Sequence, residues 1–181
     1  KNHAAGGGSV ALGQENIAYG TTNFTAGFQN VAGNASDGTG GSATAMGKYN
    51  TASADATMAL NRGTSATNQA ATSMGFRTRA NNLGMLAIGV NNDASIGDNT
   101  PDQYYYVNGA GTGAPIGVAF VIGNGDIKLN ALGEESERGD NPSNAFVVKY
   151  DGSATLAGDL TVNSDARLKS NIISLGSTLA K

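Results

Sequence analysis

An all-β fold, a parallel solenoid of 14-residue coils, is predicted by three features of this 181-residue chain. First, a glycine or asparagine and, five residues later, an alanine recur with a period of fourteen through most of residues 9–98. Second, side chains are small: 27 glycines and 28 alanines stand against 33 Leu, Ile, Val and Phe residues together. Third, the net charge is only −3, so the shortage of large apolar residues does not read as disorder. A weakly charged, small-residue chain suits a repeat fold in which backbone ladders and short side chains stack.

The units are SVALGQENIAYGTT (9–22), NFTAGFQNVAGNAS (23–36), ATAMGKYNTASADA (43–56), TMALNRGTSATNQA (57–70), ATSMGFRTRANNLG (71–84) and MLAIGVNNDASIGD (85–98), with DGTGGS (37–42) inserted after the second. Position 5 reads Gly13, Gly27, Gly47, Asn61, Gly75 and Gly89. Asparagine is the residue that most readily joins glycine at positive φ, so this position predicts a left-handed turn. Position 10 is always alanine (Ala18, Ala32, Ala52, Ala66, Ala80, Ala94), which predicts a lumen site with room for one methyl group. Position 8 holds Asn16, Asn30, Asn50, Thr64, Thr78 and Asn92, suited to turns and stacked hydrogen bonds. Position 4 is mostly large and apolar and position 3 always small. Alternation puts positions 2 and 4 on one face of a short strand and 1, 3 and 5 on the other. The expected coil has two strands and two turns, with Ala and a few Val, Leu and Met inside and the small third position offering a flat outer face for neighbouring chains. At about 4.8 Å per coil the six coils make a rod of about 29 Å. Such a lumen buries too little apolar surface to hold one chain well, so the folding unit is expected to be an oligomer. The alternative is a monomeric solenoid whose small face meets solvent.

Beyond the repeat, VAFVIGNGDIKL (118–129) reads as strand, Gly-Asn-Gly turn and strand. NAFVVKYDGSATL (144–156) reads as a hairpin with Asp151-Gly152 in a type I′ turn, and GDLTVN (158–163) as a further strand. Together, 99–163 is expected to be a β-rich cap on the open solenoid end. From Ser164 or Asp165 as N-cap, Leu168, Ile172, Leu175 and Leu179 follow at heptad spacing, which predicts a short C-terminal helix over 164–181, either a coiled coil or an amphipathic helix packed on the cap. Gly176 weakens it by about 1 kcal/mol.

The strings SVALG, ATAMG and MLAIG at this spacing resemble the head repeats of trimeric autotransporter adhesins. That resemblance implies a left-handed parallel β-roll, three rolls side by side, and display outside the cell. SDARLKSNI (164–172) resembles the junction at which the intramolecular chaperone of phage tail spikes and fibres begins. It implies a chaperone that assembles the trimer and cuts itself off beside Ser164-Asp165, with Arg167 and Lys169 at the following basic positions. Ser164 as nucleophile and Lys169 as base are the expected pair.

Other chemistry has little support. Cysteine is absent, which excludes disulfides and thiolate metal sites, and the lone His3 cannot make a histidine site. No apolar run reaches the ~18 residues of a membrane span, and no basic balance points to nucleic acid. LGEESERGDN (132–141) reads as a solvated acidic loop rather than a calcium loop. Arg138-Gly139-Asp140 spells an integrin-type tripeptide that chance explains better. Tyr104, Tyr105 and Tyr106 fit a trimer contact or core filling before carbohydrate recognition, and Gly123-Asn124-Gly125 precedes no helix that would make a phosphate loop.

The expected function is that of a structural and adhesive segment of a homotrimeric extracellular fibre, most like a phage tail fibre or spike, whose partners are its own copies and a host-surface glycan or protein. The alternatives are a bacterial surface adhesin of the same architecture, and the carrier region of a glycan-depolymerising tail-spike enzyme. The last needs paired carboxylates, whereas the repeat holds Glu15, Asp37, Asp55, Asp93 and Asp98 singly. No cofactor or metal is expected, and no catalysis beyond one self-cleavage.

Overall fold

The computed structural model describes residues 1–34, 40–96, 104–106, 113–115, 117–129, 131, 135–139 and 141–159. Every regular element among them is a β-strand. The expected C-terminal helix, with Ser164, Asp165 and Lys169, lies outside the described residues, as does 160–163 of the GDLTVN segment.

Each coil contributes one long and one short strand. In chain order they are β1 (His3–Ala4), β2 (Val10–Gln14), β3 (Ile17–Ala18), β4 (Phe24–Phe28), β5 (Val31–Ala32), β6 (Thr44–Lys48), β7 (Thr51–Ala52), β8 (Met58–Arg62), β9 (Ser65–Ala66), β10 (Thr72–Phe76), β11 (Arg79–Ala80) and β12 (Leu86–Val90). The long strands stack in parallel, unit position on unit position: Gly13 beside Gly27, Gly27 beside Gly47, Gly47 beside Asn61, Asn61 beside Gly75 and Gly75 beside Gly89. The short strands form a second parallel sheet, aligning Ala4, Ala18, Ala32, Ala52, Ala66 and Ala80 in one file. The chain is therefore a parallel β-solenoid of about six coils. The register of β4 against β6 is unshifted across the insertion, and Gly41 N–H is fastened to the Asp55 carboxylate on the next coil at 2.7 Å.

Position 5 is left-handed throughout. The five glycines there have φ of 97–122° and Asn61 has φ 83°. Torsion is only half the reason for glycine: a Cβ on Gly13, Gly27, Gly47, Gly75 or Gly89 would collide with the carbonyl oxygen of the same position one coil on. Positions 7 and 14 are left-handed too, although they carry Glu15, Gln29, Tyr49 and Arg77 in the first case and Thr22, Ala56 and Ala70 in the second, with φ between 52° and 61°.

The lumen differs from the expectation in one respect. Ala18, Ala32, Ala52, Ala66 and Ala80 are completely buried, but so is the third position from the second coil onward: Thr25, Ala45, Ala59, Ser73 and Ala87, with Ala11 on the first coil half-buried. The small third position is thus an inner wall and not an outer face. The larger residues of positions 2 and 4 point outward. Volume explains this: a 14-residue coil closes too tightly to admit two facing rows of Leu or Met, so size overrides hydrophobicity in choosing the inward face. Ala94 departs from its file; it is only half-buried and lies past the last short strand.

The cap begins as a seventh rung. β13 (Tyr104–Tyr106) and β14 (Gly113–Pro115) form an antiparallel pair. β15 (Val118–Asn124) then adds in parallel to β12, placing Phe120, Val121, Ile122 and Gly123 beside Leu86, Ala87, Ile88 and Gly89. The two strands expected in 118–129 both form but do not pair with each other: β16 (Ile127–Leu129) pairs with β17 (Glu135–Arg138). β18 (Asn144–Lys149) and β19 (Ala154–Leu156) complete the sheet in antiparallel fashion. Their hairpin turn is not type I′. Only Gly152 has positive φ, and its N–H donates to the Lys149 carbonyl at 3.1 Å while Lys149 N–H donates to the Ser153 carbonyl at 2.9 Å. This is a type I turn closed by a glycine bulge. Tyr150 pins the hairpin to the solenoid through a 2.6 Å hydrogen bond from its hydroxyl to the Leu83 carbonyl. Among the described residues, no helix is long and apolar enough to cross a membrane.

Candidate functional site

A solenoid presents its functional groups in rows, because one unit position becomes one line of side chains along the stack. Three rows and one cleft define what this surface can do.

The interior row at position 8 sets the rigidity on which the others depend. Asn30 Nδ2 donates to Asn16 Oδ1 at 2.9 Å, and Asn50 Nδ2 to Asn30 Oδ1 at 2.9 Å. The backbone N–H groups of Asn30, Asn50 and Thr64 donate to the side-chain oxygen one coil earlier at 3.0, 3.1 and 2.9 Å. Each amide nitrogen also donates to its own coil's position-4 carbonyl, Leu12, Ala26 or Met46, at 2.6–3.0 Å. All of these asparagines are fully buried, so a lumen too narrow for large apolar groups is joined instead by amide stacking. Where Thr replaces Asn, Thr64 Oγ1 donates to Asn50 Oδ1 at 2.8 Å, and Thr78 pairs with Ser73 at 2.8 Å.

The outer face of the long strands is apolar. Val10 is 41 % exposed, Leu12 53 %, Met46 42 %, Met58 39 % and Met74 38 %, with Phe24, Leu60, Leu86 and Ile88 half-buried between them. These residues make a stripe along the rod that is unbroken at position 4, while at position 2 Thr44 and Thr72 alternate with the apolar residues.

The turn edge at positions 6 and 7 is aromatic and cationic. Lys48 Nζ lies 5.4 Å from the centre of the Phe28 ring and 5.0 Å from that of Tyr49, and the two rings meet edge to face at 5.5 Å. Arg62 and Arg77 share one ring, their guanidinium carbons 5.5 and 5.8 Å from the centre of Phe76. Carboxylates flank this row at its ends. Glu15 is held below the usual carboxylate range by hydrogen bonds from the Gln29 and then the Gln14 amide. Asp126 is held low by the backbone N–H of Asn141 and, next, its side-chain amide.

Beside this edge, the outer face of the short strands forms an open cleft of about 850 Å³. Thr51, Ser65, Arg79 and Asp93 enter it from position 9 of successive coils, Thr67 and Asn81 from position 11, and Tyr49 and Gly63 line it from the turn edge.

The predicted site residues fall into two groups. Gly13, Gly27, Gly47, Asn61, Gly75 and Gly89 line up along one turn, and the first five of the position-10 alanines along the lumen. Ser164, Asp165 and Lys169 are outside the described residues. So is Asp140 of the Arg138-Gly139-Asp140 tripeptide, whose Gly139 is buried and accepts a 3.3 Å hydrogen bond from the Asn91 amide. Tyr104–Tyr106 is strand β13. Among the described residues, no three His, Asp or Glu side chains gather where they could hold a metal. The cationic edge was missed by sequence reading, though its signal was present: the repeat places Lys48 and Arg62 at position 6 and Arg77 at position 7. No protein-family model, curated protein or solved structure matches the chain.

Proposed function

We propose that this chain is a structural and adhesive segment of a homotrimeric extracellular fibre, most like a phage tail fibre or spike. The observation that carries the reading is the apolar stripe of positions 2 and 4. A soluble monomer rarely leaves a contiguous patch of that kind in water, whereas the lumen behind it is filled by Ala, Asn and Thr and holds few large apolar side chains. The apolar side chains that would ordinarily hold the chain together are on its outside, where sister copies can cover them. Parallel, in-register coils stack the stripe position on position along the rod, which suits rotational packing about a parallel axis. The number three, the left-handed winding and the extracellular setting rest on the likeness of SVALG, ATAMG and MLAIG to trimeric adhesin heads. The tail-fibre assignment rests on SDARLKSNI, with a single self-cleavage at Ser164-Asp165 of the parent protein.

Sedimentation velocity at micromolar concentration tests assembly. Three chains are expected, and Leu12→Glu with Met46→Glu should shift the species toward monomer while leaving the β-sheet circular dichroism unchanged. A monomeric wild type would sink the fibre reading. In a full-length chain, Ser164→Ala should leave the C-terminal segment attached; normal processing on a gel would remove that assignment.

A further inference from the structure

We infer that the cap is itself a subunit interface: the outer face of β15, β18 and β19, centred on Phe120, Ile122 and Phe146, packs against a second copy of this chain. The inference rests on the assembly reading above and carries it from the repeat into the cap. A cap that only closed the lumen would need one apolar face, and its strands would alternate apolar with polar residues. VAFVI (118–122) and AFVV (145–148) do not alternate. They are continuous apolar runs, the pattern of strands covered on both faces. One cover is present: Val121 and Val147 pair with each other in line with Ala87, and all three are buried on the lumen side. Alternation turns Phe120, Ile122, Phe146 and Val148 to the opposite side, where all four are only half-buried. The Phe120 and Phe146 rings meet edge to face at 6.1 Å, and Leu156, beside Phe146 on the last strand, is 44 % exposed.

Continuity with the stripe decides what the second cover is. The cap strands and the long strands of the repeat form one nine-stranded sheet, and Phe120 and Ile122 continue the rows of Leu86 and Ile88. Val148 and Phe146, then Ala154 and Leu156, extend both rows to the last strand. Two such positions on each strand give a face with no charged residue, on which only Thr44 and Thr72 are polar. Charge starts at position 6, with Lys48 and Arg62, so an apolar centre has a polar rim, as in contacts between proteins. At about 4.8 Å between strands and about 17 Å along five residues, the repeat offers a face of about 400 Å² and all nine strands about 650 Å². A stable contact takes about 800 Å² from each partner, so the repeat alone supplies about half and the cap most of the remainder. A small ligand requires a concave site, and the cleft lies on the other sheet. A second copy lying parallel to the first covers stripe and cap together.

The chain has no cysteine, so one introduced thiol reports burial at a chosen place. The full chain carrying Leu156→Cys, or Thr67→Cys on the exposed outer side of the short strands, is reacted with a maleimide at micromolar concentration. In a single chain the two thiols would react alike; under a sister copy the Leu156→Cys thiol should react at least about tenfold more slowly. Ile122→Glu with Leu156→Glu should raise the concentration at which the assembly sediments as single chains by at least about tenfold. Where that double variant does not fold, the thiol comparison decides by itself. A monomeric wild type would overturn this interface together with the fibre. An assembled wild type whose two thiols react alike, or whose assembly the glutamates leave unchanged, would overturn the cap interface and leave the stripe standing.

Discussion

Asn50→Ala tests the claim that buried amides, more than apolar contacts, hold successive coils together. Five hydrogen bonds end on this side chain. Its Nδ2 donates to Asn30 Oδ1, the Met46 carbonyl and the Asn61 carbonyl at 2.9, 2.7 and 3.0 Å, and its Oδ1 accepts from Thr64 N–H and Thr64 Oγ1 at 2.9 and 2.8 Å. Asn50 and Asn30 are fully buried and Thr64 nearly so, so water cannot replace the lost partner at once. Leaving the Thr64 N–H without an acceptor costs about 1–3 kcal/mol, and the remaining bonds about 0.5–1.5 kcal/mol each with some sharing among them. The expected loss is about 3–6 kcal/mol per chain, several times that of an average substitution. For a chain of this size, it corresponds to a fall in Tm of about 6–24 °C at fixed protein concentration. Asn50→Thr keeps an oxygen that can accept from Thr64 and should lose about half as much. Thermal melts followed by circular dichroism, with hydrogen exchange at the Thr64 amide, give the answer. A loss under about 1 kcal/mol for Asn50→Ala, or unchanged Thr64 protection, would show that backbone pairing alone carries the stack.

The remaining predictions concern the lumen, the backbone and one carboxylate. Ala66→Leu puts a branched side chain into a completely buried site and should destabilise by about 1–3 kcal/mol in a denaturant melt; an unchanged midpoint would mean that the lumen has spare volume. Ala70 is exposed at φ 56°, so Ala70→Gly should relieve left-handed strain and raise Tm by about 1–4 °C, whereas a lower Tm would mean that the glycine's unfolded-state entropy outweighs the strain. Asp126 accepts from the backbone and side chain of Asn141 at 3.0 and 2.9 Å, which lowers its pKa. A depressed carboxyl contributes stability that is full above its unfolded value of 3.8 and is lost as pH falls through the folded value. Its carbon resonance should therefore titrate with a midpoint below 3.8, and a midpoint at or above that value would refute the contact.

Much of the solenoid was legible because its constraints act within one coil. Glycine or asparagine at position 5 marks a backbone turn that other residues resist, and alanine at position 10 marks a site that admits nothing larger. The two other left-handed positions left no such mark. Position 14 tolerates Thr22, Ala56 and Ala70, and position 7 tolerates Tyr49 and Arg77, because coil closure imposes the torsion and the strain is met by inter-coil hydrogen bonds such as Ala70 N–H to the Asp55 carbonyl at 2.9 Å. The seventh rung was hidden for a different reason. Phe120-Val121-Ile122-Gly123 has the pattern of Leu86-Ala87-Ile88-Gly89, but 34 residues separate the aligned positions, so no period of fourteen connects them.

By itself the sequence determined the length of the coil, the residues at its sharpest turn and the small file along its short strands. Only the tertiary structure decided which face of each long strand turns inward, since alternation separates two faces without saying which is inside. A wide core would have taken Leu12, Met46 and Met74; a coil of fourteen residues has space for Ala45, Ala59 and Asn50 instead. That choice leaves the apolar stripe in solvent and brings Lys48, Arg62 and Arg77 to one edge, because stacking by rungs converts residues fourteen or more apart in the chain into immediate neighbours.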